Sequence, residues 1–146
     1  MAAQPHPSSV TPALLAAYRA THYCVRGVAQ PFLLRVDEPS ADLEACHRAH
    51  GVSCSAFLTA WNPGSRALPE EDNRAAQLRL SALLAERGFA LLAGLGVDPT
   101  GQWEGEESLL VLGVERAEAI GIGRAFGQNG ILYSGADAVP RLVLLA

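Results

Sequence analysis

The sequence contains no lysine, only three cysteines and no long apolar run. Each shortage removes a class of function. Cys24, Cys46 and Cys54 are odd in number and none belongs to a CxxC pair, so neither a disulfide framework nor a cysteine-rich zinc module is indicated. Reduced thiols in a cytosol are the expectation. No stretch approaches the ~18 uninterrupted apolar residues of a membrane span. The opening MAAQPHPSSVTP lacks the charged region and apolar run of a signal peptide. A soluble, cytoplasmic, unprocessed chain with no membrane partner is therefore expected. The eleven basic residues are arginines scattered from Arg19 to Arg141, against fifteen acidic residues and a net charge of −4. They form no basic stripe, so no double-stranded nucleic acid is expected as a partner. GxSxG, HExxH and P-loop patterns are missing as well.

What is present is the composition of a folded globular protein, with 49% hydrophobic and 18% charged residues over 146 positions. A chain of that size makes one domain and buries roughly two thirds of the surface its unfolded form exposes. Residues 1–9, rich in Pro, Ser and Ala without periodicity, read as a disordered arm, and 10–146 as a single domain.

Thr11-Pro12 predicts a helix start, with Leu14, Leu15 and Tyr18 on one face and an end near Ala20. HYCVRGV (22–28) and PFLLRV (31–36) read as two strands able to pair as a hairpin. Ser40 predicts a capped helix running to about His50, with Leu43, Cys46, His47 and His50 on overlapping faces. CSAFLTAW (54–61) is apolar enough for a strand covered on both faces. The best-marked helix is 69–87. Pro69 stands where the first helical residue belongs, Glu70, Glu71 and Asp72 fill the first turn, and Gly88 follows Arg87 as a terminator. Its apolar stripe runs through Ala76, Leu80, Leu83 and Leu84. A step of three residues back from Ala76 turns Asn73 inward.

FALLAGLGV (89–97) and SLLVLGV (108–114) read as strands, and 115–126 as a helix in spite of Gly121 and Gly123, which together cost roughly 2 kcal/mol relative to alanine. GILYSGADAVPRLVLL reads as two strands around SGADA. Strand pairs mixed with single helices predict an α+β fold: one domain with a mixed or largely antiparallel sheet and helices packed on it.

Candidate chemistry concentrates in a few places. Gly94-x-Gly96 and Gly121-x-Gly123 do not sit between a strand and a helix N-terminus, as a dinucleotide loop requires. His47, His50 and Cys54 have metal-compatible spacing, but no fourth ligand is evident; no metal and no cofactor are expected. TAWNPGSRALPEEDNR (59–74) is richer. Asn62-Pro63-Gly64 is a turn. Ser65, Arg66, Asn73 and Arg74 remain, at a strand end near a helix N-terminus where a polar or anionic ligand can be met. FGQNGILY (126–133) adds Gln128 beside a turn at Asn129-Gly130. Glu106 and Ser108 flank a strand entrance, with Glu106 the candidate acid/base and its neighbour Glu107 expected to diverge from it.

Taken together, AYRATHY (17–23), FLTAWNPGSR (57–66), Asn73, GQWEGEESLLVLG (101–113) and FGQNGILY (126–133) resemble a bacterial family described only as domain of unknown function 3293. The resemblance implies Asn62, Ser65, Asn73, Glu106, Ser108, Gln128 and Asn129 as the shared cluster and implies no activity. Gly130, where alanine is expected, departs from it. Three expectations follow: a domain binding a small polar or nucleotide-like ligand at these residues together with Arg66; an enzyme using Glu106, with Arg66 or Arg74 holding an anionic substrate; or an interaction module, a homodimer joined through a sheet edge or the terminal strand 141–145.

Overall fold

The computed structural model describes residues 10–145; the arm expected at 1–9 lies outside the described residues. Helix α1 (Pro12–Ala20) is capped by Thr11, whose Oγ1 accepts from Leu14 N at 3.1 Å. Strands β1 (His22–Val25) and β2 (Phe32–Leu34) form the expected antiparallel pair. Helix α2 (Ala41–Ala49) is capped by Ser40. It buries Leu43, Cys46 and His47, whereas His50 falls at the C-cap and turns outward. Strand β3 (Ser55–Leu58) is buried at every residue, as a strand covered on both faces must be. Helix α3 (Glu70–Glu86) begins one residue later than expected. Pro69 occupies the cap, its carbonyl accepting from Asp72 N and Asn73 N at 3.0 and 3.1 Å.

Strands β4 (Ala90–Val97) and β5 (Glu106–Leu112), helix α4 (Arg116–Ala125), and strands β6 (Gly130–Ser134) and β7 (Arg141–Leu144) complete the fold. The seven strands lie in the order β2-β1-β4-β5-β3-β6-β7, and every neighbouring pair is antiparallel. The protein is α+β.

Side chains alternate between two apolar layers, as the period of a strand requires. On one face Ala56, Leu58 and Val111 pack with Ala76, Leu80 and Leu84 of α3 and Ala119 and Ile122 of α4. On the other, Val25, Leu34, Phe57, Leu110 and Leu132 pack with Leu43 and Cys46 of α2. Gly123 explains how a glycine-bearing helix is held on the first face. A Cβ there would lie 2.5 Å from Leu145 Cδ1 and 2.8 Å from Ile131 Cγ2, so α4 approaches the sheet closer than an alanine permits. Gly121 has open space at the same test, and nothing in the structure explains it.

Candidate functional site

The topology gathers separate segments at one end of the sheet. Strand β3 runs antiparallel to both β5 and β6, so its exit at 59–62 lies beside the entrances of those strands. The exit of β4 and the entrance of β1 meet at the same end, where His22 pairs with Val97. Helix α1 closes over this corner. Between α1 and the sheet is a pocket of about 340 Å³, lined by Asn62, Ser65, Glu106, Ser108, Gln128 and Asn129 together with Tyr18, Tyr23, Phe57, Thr59, Trp61 and Trp103.

The floor depends on two glycines of β4. Tyr23 pairs with Gly96, and Gly96 pairs with Glu106, so a residue without a side chain separates the phenol from the carboxylate. At Gly94 a Cβ would lie 2.7 Å from the Phe57 ring, which therefore lies across the strand and meets Tyr23 edge to face at 5.4 Å. GLG is a strand here, and its missing side chains make room for a cavity.

Glu106 faces this pocket because β5 begins two residues before the expected start at 108. Alternation then sends Glu106 and Ser108 to the pocket side and Glu107 to the other, the expected divergence of neighbouring carboxylates. Asn62 Nδ2 donates to Glu106 Oε1 at 3.2 Å. Burial pushes the Glu106 carboxyl above the usual glutamate range, and the Asn62 amide offsets only part of that. Burial likewise pushes up the Tyr23 hydroxyl, which donates to the Tyr18 carbonyl at 2.7 Å.

Asn62, Gly64 and Ser65 all have left-handed backbone, with φ of 47°, 66° and 60°, around the 3-10 turn Pro63–Ser65. Such conformations cost about 1–3 kcal/mol for a residue with a side chain unless the surroundings impose them. Asn73 does the imposing. Its Oδ1 accepts from Asn62 N at 2.8 Å, and its Nδ2 donates to Asn62 Oδ1 at 2.7 Å and to Leu68 O at 3.3 Å. The amide is spent behind the turn, and Asn73 does not line the pocket. One helical turn later the buried Gln77 repeats the device, its Oε1 accepting from Ala60 N at 2.9 Å. Gly64 N donates to Gly127 O at 2.7 Å, tying the turn to the loop that carries Gln128 and Asn129.

Gln128 Nε2 donates to the carbonyls of Trp61 and Phe126 at 3.3 and 3.4 Å. Asn129 Nδ2 donates to Ser65 Oγ and to Tyr18 OH, which themselves share a hydrogen bond of 2.6 Å. Asn129 is 6% exposed, and its Oδ1 has no hydrogen-bond partner among the described residues. Ser108 is buried and donates to the Glu106 carbonyl at 3.1 Å.

The two arginines offered for an anionic substrate are elsewhere. Arg66 is exposed and outside the pocket lining, and Arg74 pairs with Glu70 at 2.6 Å on the exposed side of α3. The His/Cys trio also disperses. His47 Nε2 bonds Ser55 Oγ at 2.8 Å, His50 Nδ1 bonds the Cys46 carbonyl at 2.9 Å, and Cys54 Sγ donates to Val114 O at 3.2 Å. Tyr18, Tyr23, Thr59, Trp61, Trp103 and Gln77 are site or supporting residues that were not among the expected site positions. Gln77 had a usable signal, since it follows Ala76 on the buried side of α3 and stands four residues after Asn73.

The family described as Protein of unknown function (DUF3293) matches residues 58–131, just over half of the sequence. The chain belongs to this family. The matched stretch runs from the end of β3 into β6 and contains all seven residues of the cluster, while α1 and β1, with Tyr18 and Tyr23, precede it. Neither the curated proteins nor the solved structures contain a match to the chain.

Proposed function

We propose that this member of the DUF3293 family binds a small polar metabolite in the pocket between α1 and the sheet. The observation that carries this reading is the convergence of Asn62, Glu106, Ser108, Gln128 and Asn129, from segments far apart in sequence, on one cavity of about 340 Å³. Two acceptors there are uncommitted. Asn129 Oδ1 has no partner, and Glu106 Oε2 meets no protein donor among the described residues. Asn129 Oδ1 is closed off from solvent, whereas Glu106 lines the cavity; buried polar groups are ordinarily satisfied, so an uncommitted Glu106 oxygen there favours a ligand that satisfies it. A phosphate-bearing, nucleotide-like ligand is disfavoured, because no arginine or histidine lines the cavity among the described residues.

Thermal unfolding in the presence of a metabolite panel tests this. A ligand at a hundred times its Kd stabilises the folded state by about 2.7 kcal/mol. The parent protein should show such a shift with at least one compound, and Asn129→Ala should abolish it. A panel that leaves the parent's Tm unmoved overturns the reading.

The second reading is acid/base catalysis by Glu106, favoured by a half-buried carboxylate whose proton affinity is raised inside a cavity. It lacks the arginine clamp first considered for it. Self-association through 141–145 is the weakest reading, since Leu142 lines the pocket, Val143 packs on the core and Leu145 is buried within this chain.

A further inference from the structure

Building on the pocket as a ligand site, we propose that its occupant is an organic cation bearing N–H donors, received by Glu106 and enclosed by aromatic rings. Three independent features of the lining point the same way.

The first is charge. Glu106 is the one acid or base other than the tyrosine phenols in the lining among the described residues, and its hydrogen-bond partner, Asn62 Nδ2, is a neutral amide. Arg19, Arg74 and Arg141 pair with Asp37, Glu70 and Asp137, and Arg66, next to the lining residue Ser65, is exposed and outside the lining. A half-buried carboxylate without a cationic partner repels an anion and favours a cation.

The second is hydrogen-bond polarity. Asn129 Nδ2 is occupied by Ser65 and Tyr18, which leaves Oδ1 as the unspent atom of a side chain more than nine-tenths buried. That oxygen is closed off from solvent, so the acceptor open to a ligand is Glu106 Oε2; it calls for a donor, which an amidinium, guanidinium or ammonium group supplies and a carboxylate or phosphate does not.

The third is the wall. Tyr18, Tyr23, Phe57, Trp61 and Trp103 all line the cavity. Aromatic faces attract cations through the ring quadrupole, more strongly where water is thinned out. A phosphate ester would be repelled by the carboxylate and by the negative faces of these rings.

The test uses benzamidine, benzamide and benzoate, which share a ring and a size while the charge runs from positive through neutral to negative. Each is titrated into the full chain at neutral pH and followed by NMR of the side-chain amides and indoles and by calorimetry. Benzamidine should shift the Asn129 amide and the Trp61 and Trp103 indoles, benzamide should bind at least about ten-fold more weakly, and benzoate should leave these signals in place. In Glu106→Gln, benzamidine should lose its advantage over benzamide. If benzamide or benzoate binds the pocket as tightly as benzamidine, the cation assignment is wrong and the pocket reading survives. The same holds if a metabolite binds while benzamidine does not. Benzamidine shifting only residues remote from the cavity overturns the assignment too. If none of the three probes and no metabolite perturbs these signals, both the assignment and the pocket reading fall. The charge series in the parent decides the matter even if Glu106→Gln fails to fold.

Discussion

Helix α3 sits on the sheet through Ala76, Leu80 and Leu84, all buried in an apolar layer, whereas α1 on the opposite face buries no residue fully. Hydrogen bonds tie α1 to its surroundings: Tyr18 OH with Ser65 Oγ and Asn129 Nδ2, and the Tyr18 carbonyl with Tyr23 OH. Burial of apolar surface supplies most folding stability, so the α3 and α4 face can support a fold whose other face keeps polar groups unspent. The sharpest way to break this comparison is Leu80→Ala. Leu80 is 0% exposed, and truncation there should cost about 2–5 kcal/mol in denaturant unfolding. Leu14→Ala on α1, at a partly exposed position lining the pocket, should cost clearly less. Equal costs would mean that α1 is as much a part of the core as α3.

The next largest effect separates two asparagines that look alike in sequence. Asn73 closes the left-handed turn and Asn129 faces the cavity. Asn73→Ala strands Asn62 N and Leu68 O and should lower stability by about 1–3 kcal/mol, the usual cost of leaving buried polar groups unmade. Asn129→Ala gives up two hydrogen bonds of 3.2 and 3.3 Å but also removes an unpartnered carbonyl, so its change should stay within about 1 kcal/mol while ligand-induced stabilisation is lost. Chemical denaturation of both variants, with and without a stabilising metabolite, checks the pair. A reversed order would make Asn129 the structural amide and Asn73 the free one.

The same contrast decides what could be read before any coordinates. Elements marked by apolar periodicity and local caps were legible, because the Thr11 and Ser40 caps and the Gly88 terminator act within a few residues of themselves. Of the positions singled out in the sequence, Asn62, Ser65, Glu106, Ser108, Gln128 and Asn129 line one pocket, while Arg66 and Asn73 do not. The wiring of the site was not legible, since Tyr18 meets Asn129 across 111 residues and Asn62 meets Glu106 across 44. Nothing local in AYRATHY says that the tyrosine closes a cavity built from the far end of the chain. Asn73 sits at the boundary between the two cases: its inward direction follows from helical spacing, but the choice between turn and ligand depends on where Asn62 lies in space. Gly94 and Gly96 make the same point, because a glycine pair that opens room on a sheet looks identical in sequence to one that turns a loop.

The smallest effect is expected at Glu106 and has the opposite sign. In the folded protein this carboxyl binds its proton more tightly than in the unfolded chain, because burial disfavours the charged form. Between the unfolded and the folded pKa the native state therefore holds more proton, and stability falls as pH rises through that window. Above the folded pKa the whole cost of the half-buried charge is present; below the unfolded pKa it is gone. Glu106→Gln keeps an oxygen for Asn62 Nδ2 and removes the charge, so it should raise the Tm by a few degrees at neutral pH, with the gain fading as both proteins are taken below the glutamate range. Tm measured across that range for parent and variant checks the sign. A variant less stable than the parent at neutral pH would mean that the carboxylate is held by favourable contacts, and the pocket face would then resemble the α3 face in being built for stability. A variant more stable and yet unable to prefer benzamidine over benzamide would show a charge retained at a cost to the fold, as a group kept for binding should be.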